Sequence, residues 1–161
     1  MFRSHSGDEV ELDFWTSIIG ANTLTDSASV VRAIDNLKSR LGATSQATIS
    51  AFDKWLSWQI YTLDRKEHFK LPAVKSDGTH EPQSEDHFLY ARCACILSGH
   101  AEFTSVLNGN KGFIDFTSTR LQSAELLLYA ADEVYGEVFG VEIERAGFAP
   151  LEAGSNLEFW R

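Results

Sequence analysis

The chain has few of the residues that cross-link or break a fold. It holds two cysteines and three prolines in 161 residues, and no apolar run approaches the roughly 20 residues of a membrane span. Cys93 and Cys95 fall in one predicted helix, where positions two apart point about 200° away from each other. They are therefore poorly placed to pair or to share a metal, and we expect two small buried apolar side chains.

The first ten residues also lack the features of a secretory signal. They are polar and acidic, with neither a positively charged start nor an apolar stretch. We therefore expect a cytoplasmic protein that does not associate with membranes. A domain of this length buries about 70% of its unfolded surface, so we predict one domain over residues 1–161 that needs no disulfide or metal.

Positive charge is scarce, and its distribution is uneven. The net charge is −9, and residues 71–161 carry fourteen acidic residues against six basic ones, whereas residues 1–70 carry nine against eight. An acidic half repels phosphates, which argues against a nucleic-acid partner. The same charge can attract a basic protein, although solubility alone also explains it.

Helical periodicity dominates what is present. Apolar residues at three- and four-residue spacing predict helices over residues 9–20, 27–41, 45–63, 84–98, 101–107 and 118–139. In the last of these, the predicted buried face is Leu127, Ala131, Val134, Tyr135 and Val138. The pattern indicates a mainly all-α fold, a single-domain bundle of about five to six helices with its helical core over residues 9–140.

Two segments lack this periodicity. Residues 64–83 hold Pro72, Gly78 and Pro82 among many charges, which predicts a long exposed loop. Residues 141–161 are weakly patterned but contain several large apolar residues. We expect this C-terminal tail to be irregular and to pack on the core, with a short strand as one form that it could take.

The start of the fourth predicted helix concentrates polar groups. Ser84 is placed to cap the helix, and Glu85 and Asp86 lie at the positive end of its dipole, so capping alone explains them. Asp86 and Tyr90 are four residues apart and share a helix face. The alternative is a ligand-binding cluster of acids, a phenol and a guanidinium, formed by Asp64, Ser84, Glu85, Asp86, Tyr90 and Arg92.

Sequence motifs for metal or nucleophilic chemistry are absent. The chain contains no DxDxDG, HExxH, Walker-type or GxSxG motif. Asp64, Glu85 and Asp86 could in principle supply oxygen ligands, but nothing in their spacing demands a metal. The spacing of His80, His87 and Cys93 is irregular for zinc. We therefore expect no metal, no cofactor and no catalytic residue.

The last predicted helix carries an acidic stripe opposite its apolar face. The stripe covers about a third of the circumference at 100° per residue, and a solvated helix face explains it. The alternative is a docking surface for a basic partner, with the one aromatic residue as its anchor. The partner-binding candidates are Glu125, Tyr129, Asp132, Glu133 and Glu137.

Several short motifs together resemble a known family. In order along the chain they are Phe14-Trp15, Phe52 with Tyr61-Thr62, Ser84-Glu85-Asp86-x-Phe88-x-x-x-Arg92, Gly99 and Glu125-Leu126-Leu127. Over residues 9–140 the chain is similar to an uncharacterised bacterial domain, the DUF4240 family. Glu85 departs from the family's usual Ser-Asp-Asp but keeps the charge. The resemblance implies a mostly helical cytoplasmic bacterial domain without an established activity.

Three functions remain open from the sequence. The first is a non-enzymatic protein-interaction module, most concretely an immunity-type protein that neutralises a basic toxin. The second is a small-ligand-binding protein or enzyme that uses the cluster at the fourth helix, with residues 64–83 as a lid. The third is a scaffold that acts as a homodimer through Trp58, Tyr61 or Trp160; monomer and homodimer both stay open.

Overall fold

Six α-helices, one small hairpin, three 3₁₀ helices and a π-helical turn make up the regular structure of residues 14–161, the part of the chain that this computed structural model describes. None of these helices is both long and apolar enough to cross a membrane. The prediction of a mainly helical fold is confirmed. The helices are α1 (Ser27–Gly42), α2 (Gln46–Thr62), α3 (Lys66–Phe69), α4 (Glu85–Ser98), α5 (His100–Leu107) and α6 (Leu127–Phe139), and the strands are β1 (Pro72–Val74) and β2 (His80–Pro82).

Side-chain caps explain where three helices begin. Asp26, Ser45 and Ser84 each accept a hydrogen bond from the backbone N–H three residues later, at 2.8, 3.2 and 3.0 Å. A cap of this kind is worth about 1 kcal/mol, because it satisfies an N–H that has no partner within the helix. The starts of α1, α2 and α4 are therefore encoded locally.

Helix α4 lies at the centre of the fold. Every residue from Ala91 to Ser98 is buried, including Cys93 and Cys95, which confirms the expectation for the two thiols. Helix α4 packs against α2, α5 and a 3₁₀ helix at Thr119–Leu126. Burial on all sides accounts for its continuous run of small and apolar residues.

An aromatic cluster joins the Phe-Trp motif to the rest of the core. Phe14 contacts Phe52 and Trp55 of α2, and Trp15 contacts Trp55 and Phe103 of α5, with ring centroids 5.0–5.7 Å apart. Trp15 is 1% exposed and Phe52 is fully buried. Tilted and edge-on contacts of this kind stabilise a core beyond the area that they bury.

The prediction of a long exposed loop over residues 64–83 is only partly right: residues 75–82 are exposed, but the segment contains regular elements. The segment forms α3 and then an antiparallel hairpin, in which Pro72 pairs with Pro82 and Val74 with His80. The side-chain amide of Gln83 donates to the carbonyls of His68 and Leu71, each at 2.9 Å, and ties the two parts together. Elements of three or four residues are too short to show a periodicity in the sequence.

The last predicted helix, over residues 118–139, is two elements. Its first half winds as the 3₁₀ helix Thr119–Leu126, where it packs closely against α4 and α1, and α6 begins only at Leu127. Four of the five predicted buried positions are buried, but Val138 is 55% exposed because it lies beyond the part of α6 that the other helices cover. The predicted apolar face is therefore wrong at that position.

The two ends of the chain also depart from expectation. The described part of the predicted helix 9–20 is a π-helical turn at Trp15–Ile19, and residues 9–13 lie outside the described residues. The tail contains no strand over residues 141–161, where its regular element is a 3₁₀ turn at Leu157–Phe159. The tail packs on the helices, with Ile143, Ala149 and Asn156 buried.

The junction between α4 and α5 generates a prediction about Gly99. This residue has φ 120° and ψ 174°, a region that is essentially restricted to glycine, and an added Cβ would lie 2.8 Å from the carbonyl oxygen of Gly20. Gly99→Ala should lower the free energy of unfolding in urea by about 3 kcal/mol or more, because it combines backbone strain with a clash.

Gly109→Ala is the matched control for this substitution. Gly109 also has a positive φ, of 76°, but no atom lies within 4 Å of its added Cβ, so only backbone strain of about 1 kcal/mol applies. Equal losses in the two variants would contradict the role assigned to the contact between Gly99 and Gly20.

Candidate functional site

The start of α4 is an exposed, capped helix end. Ser84 accepts a hydrogen bond from the amide of His87 at 3.0 Å, and Glu85 and Asp86 are exposed in the first turn. The two acids line a recess of about 180 Å³ together with Leu89 and residues of the tail. Their position against the helix dipole explains them electrostatically, and the recess is small for a ligand site.

Asp64 is instead fully buried and binds the tail. Its Oδ1 accepts hydrogen bonds from the backbone N–H of Gly154 at 3.0 Å and from Trp160 Nε1 at 2.8 Å. Its Oδ2 accepts from the backbone N–H of Asn156 at 3.0 Å. Three N–H donors thus compensate for the removal of this carboxylate from water.

Arg92 is also fully buried and contacts the same tail. Its guanidinium donates to the carbonyls of Ile60, at 3.2 Å, and Leu151, at 2.9 Å, and lies 4.4 Å from the ring centroid of Phe88. Desolvation lowers the pKa of Arg92, and the negative charge of Asp64 opposes this shift. The guanidinium is therefore engaged by main-chain carbonyls and is not presented to solvent.

The six residues of the sequence-derived cluster therefore separate into three places. Asp64 and Arg92 lie inside the fold against the tail, whereas Ser84, Glu85 and Asp86 lie outside at the helix end. Tyr90 lies beside Glu125 of the 3₁₀ helix Thr119–Leu126. Burial, and then the neighbouring carboxylate of Glu125, raise the pKa of its phenol. The six side chains do not line one open pocket.

A larger groove lies next to the start of α4. It has a volume of about 410 Å³ and runs between α2, α6 and residues 145–151 of the tail. Among the hydrogen bonds that hold the tail along α2, the amide of Ala149 donates to Ser57 Oγ at 2.9 Å, and Trp58 Nε1 donates to the carbonyl of Gly147 at 3.0 Å. The apolar walls are Leu56, Ile60, Leu89, Leu128, Phe148 and Leu151.

Two carboxylates share one arginine in this groove. Asp53 of α2 lies 2.9 Å from Arg145 Nη1, and Asp132 of α6 accepts from Nη2 of the same guanidinium. The side chain of Asp53 is only 6% exposed, whereas those of Asp132 and Arg145 are 41% and 49% exposed. Desolvation raises the pKa of Asp53 to about 6, and the charge of Arg145 opposes the shift.

The acidic stripe predicted on the last helix is largely engaged within the chain. Glu133 forms an ion pair of 2.7 Å with Lys38 of α1, Asp132 pairs with Arg145, and Glu125 lies beside Tyr90. Glu137 and Tyr129 are exposed, Tyr129 to 48%. Pairing reduces the net field of the stripe, so its two most available members are Tyr129 and Glu137.

A second acidic surface lies at the end of α6, and the sequence pattern does not predict it. Val138, Phe139 and Val141 are 55%, 36% and 53% exposed at this end, and three carboxylates flank them in the chain. We call this surface the end patch; it comprises Glu137, Val138, Phe139, Val141, Glu142 and Glu144. The alternating apolar and acidic residues after Gly140 carry a signal of this surface, whereas their weak helical periodicity predicts only irregular packing.

The described residues offer no set of metal ligands. No group of three or more histidine, cysteine, aspartate or glutamate side chains within residues 14–161 is arranged to hold a metal ion. Burial raises the pKa of both thiols, that of Cys93 to about 12, so both stay protonated at neutral pH.

Asp64→Asn tests the connection between the helices and the tail. The amide would turn an NH₂ group towards at least one of the three N–H donors that the carboxylate now accepts. We expect the variant to lose about 2–4 kcal/mol of unfolding free energy and to exchange the amides of Gly154 and Asn156 faster. Glu158→Gln, an exposed change in the same tail, is the control; unchanged exchange in Asp64→Asn would contradict the assignment.

The raised pKa of Asp53 predicts a pH dependence of stability. Between the ordinary pKa of 3.8 and about 6, the folded protein binds more protons at this group than the unfolded chain does. Its contribution to stability is therefore complete below pH 3.8 and is lost as the pH rises to about 6, a loss on the order of 3 kcal/mol. Urea unfolding of the wild type and of Asp53→Asn should diverge over this interval, whereas parallel curves would contradict the shift.

Comparison with known proteins identifies a family but no function. No curated protein and no solved structure matches the chain. One family model matches residues 10–137. The matched region includes the start of α4 and the buried Asp64 and Arg92. The tail that these two side chains bind lies beyond the matched region. Because the match covers most of the chain, this protein belongs to the family described as protein of unknown function (DUF4240).

Proposed function

We propose that this protein is a non-enzymatic interaction module that binds a basic protein partner through the end patch. The observation that carries the proposal is the exposure of three large apolar side chains, Val138, Phe139 and Val141, beside carboxylates. Isolated apolar residues are common on protein surfaces, but several within four consecutive positions at a helix end favour an interaction site.

The charge of the patch supports a basic partner. No lysine, arginine or histidine within residues 14–161 lies at ion-pair distance from Glu137, Glu142 or Glu144, in contrast to the paired Glu133. Unpaired carboxylates at the rim accelerate association with a positive surface, and the apolar centre supplies the contact area.

The concrete form of this proposal is an immunity-type protein that neutralises a toxin. Toxins that cleave nucleic acids need a positive surface for phosphate groups, and an acidic protein can occupy that surface. The net charge of −9 and the small size of the chain support this form. We expect the protein to act in the cytoplasm, where such a target would be.

Small-ligand binding is the second candidate function, and one specific observation favours it. The groove that contains Asp53 and Arg145 has about 410 Å³ of space and mainly apolar walls, within the size range of ligand pockets. The cluster at the start of α4 provides weaker support, because Asp64 and Arg92 are engaged with the tail. The better-supported location for a small ligand is therefore the groove and not the start of α4.

The homodimer hypothesis has less support. Trp58 is 44% exposed and contacts Tyr61 edge-on, but Trp160 packs on Phe69 at 5.5 Å and donates to Asp64. The side chain of Trp160 thereby holds the tail against the helices. Trp58 and Tyr61 are left as a small aromatic surface.

Charge reversal at the end patch tests the proposed function. Lysates of the source cells are passed over the immobilised full chain at low ionic strength and at about 1 M salt, where the Debye length falls to about 3 Å. We expect one basic protein to bind at low salt only. The double variant Glu137→Lys/Glu142→Lys should weaken its binding at least tenfold, measured by calorimetry with the purified partner.

The matched control is Glu85→Lys/Asp86→Lys, which changes the net charge equally at the start of α4. Equal weakening in the two double variants would show a general charge effect and contradict the end patch as the site. The toxin form has its own test, because the partner expressed alone should arrest growth and this protein should restore it. A partner that is harmless when expressed alone would exclude the immunity form while leaving the docking surface in place.

A further inference from the structure

We infer that the groove between α2, α6 and the tail is a binding site for a small organic cation, an amine or guanidine carried on an apolar body. This site is separate from the end patch and does not depend on the protein partner proposed above. Its volume of about 410 Å³ lies within the range of small-molecule pockets, and most of its lining is apolar. The size and the walls select a compact apolar body.

The charge of the groove selects the sign of the ligand. Asp53, Asp132 and Arg145 are its charged lining residues, so two carboxylates share one guanidinium and the three groups together carry a net charge of −1. Because the side chain of Asp53 is 6% exposed, solvent screens its charge weakly. A bound monocation would bring the lining to neutrality, whereas an anion would add a second uncompensated negative charge.

The geometry also provides a place for each part of the ligand. The side chain of Asp132 is 41% exposed and that of Asp53 only 6%, so a cation can approach Asp132 from solvent while Arg145 stays paired with Asp53. Tyr129 lies three residues before Asp132 on α6, also lines the groove and is 48% exposed. Its ring can therefore contact the same cation. Leu89, Leu128 and Phe148 would contact the apolar body.

Three probes with one carbon skeleton separate charge from apolar contact. Phenylpropylamine, phenylpropanol and phenylpropanoate are titrated into the full chain, and amide shifts are followed by ¹H–¹⁵N correlation spectra. We expect saturable shifts for the amine in α2, in α6 and at residues 147–151, with a Kd on the order of millimolar for a fragment of this size. The alcohol should bind about tenfold more weakly, and the anion should cause no saturable shift there.

Asp132→Asn then tests the charge assignment directly. This substitution removes the more exposed of the two carboxylates that share Arg145 and leaves the pair of Asp53 and Arg145 in place, so the variant should fold. We expect it to bind the amine about tenfold more weakly and the alcohol as the wild type does. Glu158→Gln, an equal change of charge outside the groove, should give the wild-type result with each of the three probes.

Three results would overturn the inference. Equal binding of the three probes would show an apolar groove without preference for charge. Unchanged binding of the amine by Asp132→Asn would place the cation elsewhere, and so would saturable shifts confined to residues outside the groove. None of these results bears on the end patch, because Glu137 and Glu142 do not line the groove.

Discussion

The buried charges of Asp64 and Arg92 connect the C-terminal tail to the helices, and both sides depend on the connection. A carboxylate or guanidinium removed from water costs several kcal/mol unless hydrogen bonds replace its hydration. Here the tail supplies that replacement: Gly154, Asn156 and Trp160 donate to Asp64, and the carbonyl of Leu151 accepts from Arg92. If the tail were detached, Asp64 would lose its three N–H donors and Arg92 would keep only its hydrogen bond to the carbonyl of Ile60. The tail in turn has little regular structure of its own.

Both candidate surfaces follow from this docking of the tail. The groove has α2 and α6 as two of its walls, but its third wall and its arginine come from residues 145–151. The end patch likewise combines the end of α6 with Val141, Glu142 and Glu144 of the tail. The family match ends at residue 137, so the matched region contains the two charges that receive the tail, while the tail completes the surfaces.

Local signals in the sequence predicted much of the fold. The capping residue Ser84 placed the start of α4, because a cap acts within one turn. Apolar periodicity placed the long helices, because it too depends on residues that are near one another in the chain. It failed over residues 64–83, whose elements are too short to repeat a pattern, and over residues 118–126, where packing against α4 accompanies a 3₁₀ winding that the sequence pattern does not distinguish from α.

The candidate sites divide in the same way. The residue types and spacing at the start of α4 correctly indicated a capped helix end with exposed acids, since those properties depend only on neighbours in the chain. Partners that are distant in sequence were decided by the tertiary structure alone: Asp64 with residues 154–160, Arg92 with Leu151, and Asp53 with Arg145. The amino-acid order thus determined the helices, their caps and the excess of negative charge. Long-range packing decided which charges are buried, which are paired and which remain available to a ligand, because desolvation and pairing depend on distances in space that no local pattern contains.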